Sequence, residues 1–308
     1  MSIMAKPLYI SVIIPSLNRP MALRQSLNSV LKQDTDGIFE YEVIIVLDNK
    51  DKESGNWLKD EILLNRRIKF FRSPEPGVNS ARNAGIKESR GEIIYFLDDD
   101  CYFLEKRQLL NLRASFNAHP EASAIGGGYI LEDKGKDVFS ISRNKLDNFH
   151  VEDTMSLKGE TGALLGGNTA YKKEVFIKYG FFDENIHFGA AETELNDRIL
   201  KGGGKLHFLK ELSLMHSTGR HGLIKYFLKA FMQGRGKGYS IAKNGKLRLN
   251  YNNKPEKIWF MRISAGLNAN LPFKVIAAAF IFLNSVCYQL GKLAGIFYYY
   301  PMLKMHGK

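Results

Sequence analysis

Apolar residues in the first third of the chain fall in short, mostly apolar runs that alternate with stretches of helical spacing. Residues 8–14, L-Y-I-S-V-I-I, are apolar and β-branched and end at Pro15, as expected where a buried strand leaves its sheet. Residues 41–47 and 68–71 repeat the pattern with one charged residue each, Glu42 and Lys69, and 93–97 repeats it with none; runs without a hydrophilic face belong to strands covered on both sides. Between them Asn18-Arg19-Pro20 reads as a turn and helix start. The spacing of Leu23, Leu27, Val30 and Leu31 predicts a helix over 21–32, with further helices at 56–64 and 79–89. Strand-then-helix units in succession imply an α/β fold, doubly wound around a largely parallel sheet, with a nucleotide-sized crevice at the carboxyl ends of its strands.

Beyond residue 100 the pattern is less regular. A helix is expected at 105–118 and a strand at 122–130 that carries three glycines, while 131–151 is polar and reads as a loop or a small β excursion. Residues 161–171, T-G-A-L-L-G-G-N-T-A-Y, combine glycines with small residues. That composition suits a backbone that approaches a ligand closely or a tight turn between strands. Leu195, Ile199 and Leu200 mark a helix ending at Gly202-Gly203-Gly204, followed by short strands at 206–208 and 212–215, the second reaching His216. Residues 221–240 form a basic helix with interleaved aromatics, and 271–300 are almost wholly apolar.

Chemistry enters where apolar runs stop at carboxylates. The run 93–97 is followed at once by Asp98, Asp99 and Asp100. Three adjacent like charges repel unless a cation or hydrogen-bond donors neutralise them; a solvated acidic turn is the alternative. Asp48 ends the second strand, in a ligand role or for solubility. Glu192 and Glu194 lie in the first turn of a helix, where its dipole favours carboxylates in any case. His216 is either structural or a metal ligand.

Charge is unevenly placed. The net charge is +12, yet residues 1–200 carry 26 Lys/Arg against 30 Asp/Glu and residues 201–308 carry 18 against 2. An acidic body joined to a basic region suggests an anionic partner for the latter. Cys101 and Cys287 stand far apart, without the spacing of a disulfide framework or zinc site, and fit a reducing, cytosolic setting. No stretch near the amino end reads as a secretory signal.

Taken in order, S-V-I-I-P-S-L-N-R-P at 11–20, E-V-I-I-V-L-D at 42–48, G-V-N-S-A-R-N-A-G-I at 77–86, G-E-I-I-Y-F-L-D-D-D at 91–100, G-G-N-T-A-Y at 166–171 and G-A-A-E-T-E-L at 189–195 resemble the family 2 glycosyltransferases with the GT-A fold. The resemblance covers about residues 8–218 and implies a metal-dependent inverting transferase. Such an enzyme moves a sugar from a nucleoside diphosphate sugar, by default a UDP-sugar, to a hydroxyl of a glycan or lipid-linked acceptor. It implies a donor site formed by Pro15, Asn18, Arg19, Asp48, Arg82, Asp98 and Asp99, with Asp48 on the base and Asp98 near the ribose or sugar. Asp100, and by analogy His216, would bind Mn²⁺ or Mg²⁺; Gly166, Gly167 and Asn168 would form the acceptor loop. Glu192 takes the general-base position, with Glu194 as second candidate.

Two departures stand out. The second strand ends Leu47-Asp48-Asn49-Lys50 rather than in paired acids before Gly-Ser, and the usual Glu-Asp pair is Ala191-Glu192. Two other readings therefore stay open: a sugar-nucleotide-forming nucleotidyltransferase, and a catalytically silent membrane adaptor that keeps the fold. The first would need a Gly-rich phosphate loop after the first strand, where residues 15–20 have none. The expected division is a GT-A domain at 1–218 and a helical, membrane-associating region at 219–308. The 17 uncharged residues between Lys274 and Lys292 would span a bilayer, lie in its interface or pack in a core. No nucleic-acid module is recognisable. The expected setting is the cytoplasmic face of the cell membrane, in synthesis of a bacterial envelope or exported polysaccharide.

Overall fold

A computed structural model describes residues 8–132, 159–162, 164–186, 189, 191–217, 222–244 and 271–305. The amino-terminal part runs β1 (Leu8–Ser16), α1 (Pro20–Leu31), β2 (Glu40–Leu47), α2 (Gly55–Leu64), β3 (Ile68–Arg72), α3 (Val78–Glu88) and β4 (Ile93–Leu97). Next come β5 (Cys101–Tyr102), α4 (Gln108–Ala118), β6 (Ala122–Gly126), β7 (Tyr129–Leu131), β8 (Gly159–Thr161), β9 (Asn168–Lys172), α5 (Glu174–Tyr179), α6 (Ala191–Lys201), β10 (Lys205–Phe208) and β11 (Leu214–His216). Two long helices close the chain, α7 (Leu223–Asn244) and α8 (Leu271–Met305).

The main sheet has the order β3-β2-β1-β4-β9-β6-β10-β8, and a small second sheet has the order β5-β11-β7. β1 to β4 pair in parallel, β9 runs antiparallel between β4 and β6, and β10 is parallel to β6. The uninterrupted apolar runs are explained by burial on both faces. Along β1, Ile10, Val12 and Ile14 enter one core with Val43, Ile45 and Tyr95. Ile13 enters the opposite core with Ile44, Val46, Ile94 and Phe96. Pro20 opens α1 at a position where its missing N–H costs no hydrogen bond.

The structure corrects three sequence expectations. Pro15 lies inside β1, opposite Val46, because β1 pairs with β2 through Ser16; the chain leaves the sheet after Ser16 and turns at Asn18, whose φ is 51°. The strand expected at 122–130 is two strands in different sheets, β6 and β7, broken at Gly127. There a Cβ would overlap the Leu212 carbonyl. Leu212 itself closes a short 3₁₀ turn, so the last strand begins at Leu214. Most of the loop or β excursion expected at 131–151 lies outside the described residues.

α7 and α8 pack backbone to backbone. A Cβ on Gly234, Gly238, Gly291 or Gly295 would overlap the main chain of the facing helix, the close approach that small residues spaced four apart permit. α8 leaves Ile276, Leu283, Leu290, Leu293 and Phe297 exposed. Its segment Ala278–Tyr300 is, among the described residues, the one helix long and apolar enough to cross a membrane.

Candidate active site

The three aspartates between β4 and β5 are identical in sequence and different in place. Asp99 is 1% exposed, accepts a 2.7 Å hydrogen bond from Ser16 Oγ, and has Arg19 Nη2 at 2.7 Å from its other oxygen. That second contact is an ion pair without hydrogen-bond alignment. Burial pushes the Asp99 carboxyl up to about 7 despite Arg19 beside it. Asp100 is partly exposed, with Arg19 Nη1 2.6 Å from one oxygen and His216 Nε2 3.4 Å from the other. Burial opposes its ionisation, but His216 and Arg19 outweigh burial and hold it well below the usual carboxylate range. Asp98 is the most open of the three, 34% exposed, and accepts a 3.3 Å bond from Arg82 Nη2.

His216 reaches Asp100 through the second sheet. β5 follows the aspartates directly, and its Cys101 pairs with His216 in the antiparallel β5–β11 ladder. Ser217 N then donates to the Asp100 carbonyl at 2.8 Å, and the His216 ring stacks on Tyr129 at 5.0 Å between centroids. These contacts fix an imidazole nitrogen and a carboxylate oxygen side by side. Adjacent ligands of an octahedral ion with bonds of about 2.1 Å stand roughly 3 Å apart, so the 3.4 Å separation fits one cation held by both groups. One carboxylate and one imidazole can serve a divalent ion such as Mn²⁺, and less readily Mg²⁺, which favours oxygen. Cys101 is fully buried and its thiol is pushed far up, first by burial and then by Asp100, which leaves it unsuited to join them.

Arg82 ties Asp98 to the helix that carries Glu192. Its buried guanidinium lies between the rings of Phe96 and Phe182, at 5.9 and 5.4 Å from their centroids. From there it meets Asp98 at 3.3 Å and Glu192 Oε2 at 3.9 Å. The Gly166-Gly167 turn is pressed into the same corner. A Cβ on Gly167 would overlap the Asp98 carboxylate, and one on Gly166 would sit 2.9 Å from Glu192 Oε2. Glycine at both positions thus lets the loop reach the two carboxylates. Asn168 is different. Its amide accepts from Tyr95 Oη at 2.6 Å and donates to the Gly128 and Leu212 carbonyls at 2.9 and 3.0 Å. It joins three segments from a buried position and has no free group to offer an acceptor.

At the carboxyl end of β2 Asp48 is 6% exposed and accepts from the backbone N–H groups of Gly77 and Lys50 at 2.7 and 2.9 Å. The loop after it is organised by Asp51, which accepts from Asn18 N at 2.6 Å and from Ser54 N and Oγ at 2.8 and 2.9 Å. Burial raises the Asp51 pKa, and these hydrogen bonds outweigh it and leave the carboxyl below its ordinary value. Asn18 returns the contact by accepting from Lys52 N at 2.8 Å. The loops after β1 and β2 are therefore one stapled unit.

The family model of glycosyl transferase family 2 matches residues 11–180, more than half of the chain. The chain belongs to glycosyl transferase family 2. Among curated relatives, the uncharacterized glycosyltransferase EpsJ of Bacillus subtilis (strain 168) is 34% identical over 209 residues, 66% of this chain and 59% of EpsJ. The poly(ribitol-phosphate) β-N-acetylglucosaminyltransferase TarP of Staphylococcus aureus (strain N315) is 33% identical over 131 residues, 42% of this chain and 39% of TarP. The chain thus spans less than two thirds of the length of either relative. The mannosyltransferase PcManGT from Pyrobaculum calidifontis, solved with GDP-Man and Mn²⁺, superposes over 91% of this chain and 86% of its own, with a TM-score of 0.65 at 16% identity. That likeness shows the GT-A fold.

In this glycosyltransferase the two glutamates of α6 part company. Glu192 is 26% exposed beside Arg82. Glu194 is fully buried, held by Arg198 Nε at 3.0 Å and Nη2 at 2.8 Å and by Lys243 Nζ at 3.1 Å. Lys243 comes from α7 and also meets Asp183 at 2.6 Å, where Tyr239 Oη donates at 2.8 Å. Sequence reasoning missed Ser16, Asp51, Tyr129, Asp183 and Lys243. Only Asp51 has a local signal, the D-x-x-S spacing to Ser54 that marks a capped turn; the others act through partners distant in sequence.

Proposed function

We propose that this glycosyltransferase moves a sugar, with inversion, from a nucleoside diphosphate sugar to a hydroxyl of a glycan or lipid-linked acceptor at the cytoplasmic face of a membrane. The observation that carries the reading is the chain of contacts His216–Asp100 at 3.4 Å, Arg82–Asp98 at 3.3 Å and Arg82–Glu192 at 3.9 Å. It supports reading Asp100 and His216 as a cation-binding pair, Asp98 as a donor-facing carboxylate and the partly exposed Glu192 as the base. Asp100 and His216 would hold Mn²⁺ or Mg²⁺, which supplies positive charge to a departing diphosphate. Asp48 and the stapled loops beneath it would receive the base, with UDP as the default nucleotide. Asp98 and Arg82 would orient the donor, and Glu192 would take the proton from the attacking hydroxyl, help typically worth about 10²–10⁴-fold. Asp99 and Arg19 would support this edge. Glu194, already saturated by two cations, would position α6 while Glu192 does the chemistry.

The named chemistry of relatives supports the class: PcManGT holds GDP-Man and Mn²⁺, and TarP transfers N-acetylglucosamine to poly(ribitol phosphate). A bacterial envelope or exported polysaccharide is the corresponding product. The division into a catalytic unit at 1–218 and a membrane-associating unit at 219–308 goes with it. Exposed Leu223, Ile224 and Leu228 on α7 and the apolar face of α8 would enter the lipid, while nearby lysines face anionic headgroups, each adding about 1 kcal/mol. A thermal-shift series of nucleoside diphosphates with and without Mn²⁺ tests the donor class, because ligands that bind only the native state raise its melting temperature. At least one diphosphate should raise it in a Mn²⁺-dependent way, and D100N should abolish the dependence. Indifference of the wild type to every nucleotide refutes the donor site.

A further inference from the structure

A second group of metal-binding side chains lies away from the donor edge. His119 follows α4, Glu121 immediately precedes β6, and His207 stands within β10, parallel to β6. β6 and β4 are both antiparallel to β9, so they run in the same direction. Glu121 and His119, at the amino end of β6, are therefore on the opposite side of the sheet from Asp98, which follows the carboxyl end of β4.

One histidine nitrogen from each ring and one carboxylate oxygen converge here within 4.8 Å of one another. Glu121 Oε1 is 3.1 Å from His207 Nε2 and 3.7 Å from His119 Nδ1, and the two rings are 4.6 Å apart. Four ligands arranged tetrahedrally at about 2.1 Å from an ion stand roughly 3.4 Å from each other, midway between the two observed separations. His207 is 6% exposed, yet neither ring nitrogen has a hydrogen-bond partner. The 3.1 Å approach of Glu121 is thus a contact out of hydrogen-bond alignment. Buried polar atoms without partners are rare and call for a water or an ion.

We infer that His119, Glu121 and His207 form a second metal site, for a borderline transition ion such as Zn²⁺, that clips the α4–β6 corner to β10. Two imidazoles and one carboxylate suit Zn²⁺ better than Mg²⁺ or Mn²⁺, which favour oxygen. His119 and Glu121 are partly exposed, so the fourth position opens to solvent and takes water. Glu160, opposite His207 in the β8–β10 ladder, is ion-paired with Lys205 at 3.0 Å, so it adds little net charge beside the site. Because the ion joins segments that are separate in the unfolded chain, binding stabilises the fold.

The test uses the full chain, stripped with a chelator and titrated with Zn²⁺ and with Co²⁺ in the absence of nucleotide. Expected are one equivalent bound per chain, a raised melting temperature, the strong visible absorption of tetrahedral Co²⁺, and retention of all three in D100N. H119A alters a partly exposed side chain, so it should fold and bind with a dissociation constant raised by about 10–100-fold or more. H207Q should lose the visible band. The inference is overturned if the wild type binds no Zn²⁺, if binding survives unchanged in both histidine variants, or if D100N alone removes it.

Discussion

Residues of one kind do different work here because the fold gives them different surroundings. Of the consecutive aspartates, Asp99 is buried against Ser16 and Arg19, Asp100 lies between Arg19 and His216, and Asp98 meets Arg82. Of the two acids in the first turn of α6, only Glu192 is open. E192Q should therefore lower turnover by about 10²–10⁴-fold with nucleotide binding intact, measured as initial rate against nucleotide affinity. G167A introduces a Cβ where the Asp98 carboxylate sits; overpacking of this kind costs about 1–3 kcal/mol, read by denaturant unfolding, and it should weaken donor binding as well. Glu42 gives the pH prediction. It is buried, and burial would raise its pKa, but Lys69, Ser11 Oγ and Arg90 N outweigh burial and lower it. A carboxylate with a depressed folded pKa stabilises above its unfolded value, about 4.3, and that contribution is lost as pH falls through the lower folded value. E42Q should cost about 1.5–3 kcal/mol at pH 7, and the gap to wild type should narrow in unfolding curves taken below about pH 4.

At the level of elements, the strands with continuous apolar runs were legible because burial on both faces leaves no alternation to misread. β9 was not legible as a strand of the central sheet. Its residues belong to a glycine-containing stretch, and its antiparallel place between β4 and β6 depends on pairing across distant segments. The position of His216 beside Asp100 is of the same nature: the sequence shows a histidine after a short apolar run, while the β5–β11 ladder decides what it faces. That Asp48 and the aspartates after β4 lie at one end of the sheet was legible because parallel strands end there together. Asn168 read as a loop residue facing an acceptor, whereas the tyrosine and the two carbonyls that consume its amide are far away in the chain. The link from α7 to α6 through Lys243 belongs to this scale too. K243M removes the cation shared by Asp183 and Glu194. It should lower turnover by up to about 10²-fold through displaced geometry while leaving nucleotide affinity unchanged, as a comparison of kcat with binding will show.

For the molecule as a whole, the charge reverses from the first 200 residues, which carry a slight acidic excess, to the last 108, which are strongly basic. Lys243 of α7 pairs with Glu194 on the helix that carries Glu192, and Tyr239 of α7 donates to Asp183 ahead of that helix, so α7 reaches to within one helical turn of the candidate base. The most direct test of the account is transfer itself. Purified enzyme is supplied with radiolabelled UDP-sugars, and then other nucleotide sugars, with Mn²⁺ and a crude lipid acceptor. Label should pass to the lipid fraction or be slowly released as free sugar, and D100N should lose both. Absence of transfer, hydrolysis and binding with every nucleotide sugar would contradict the account.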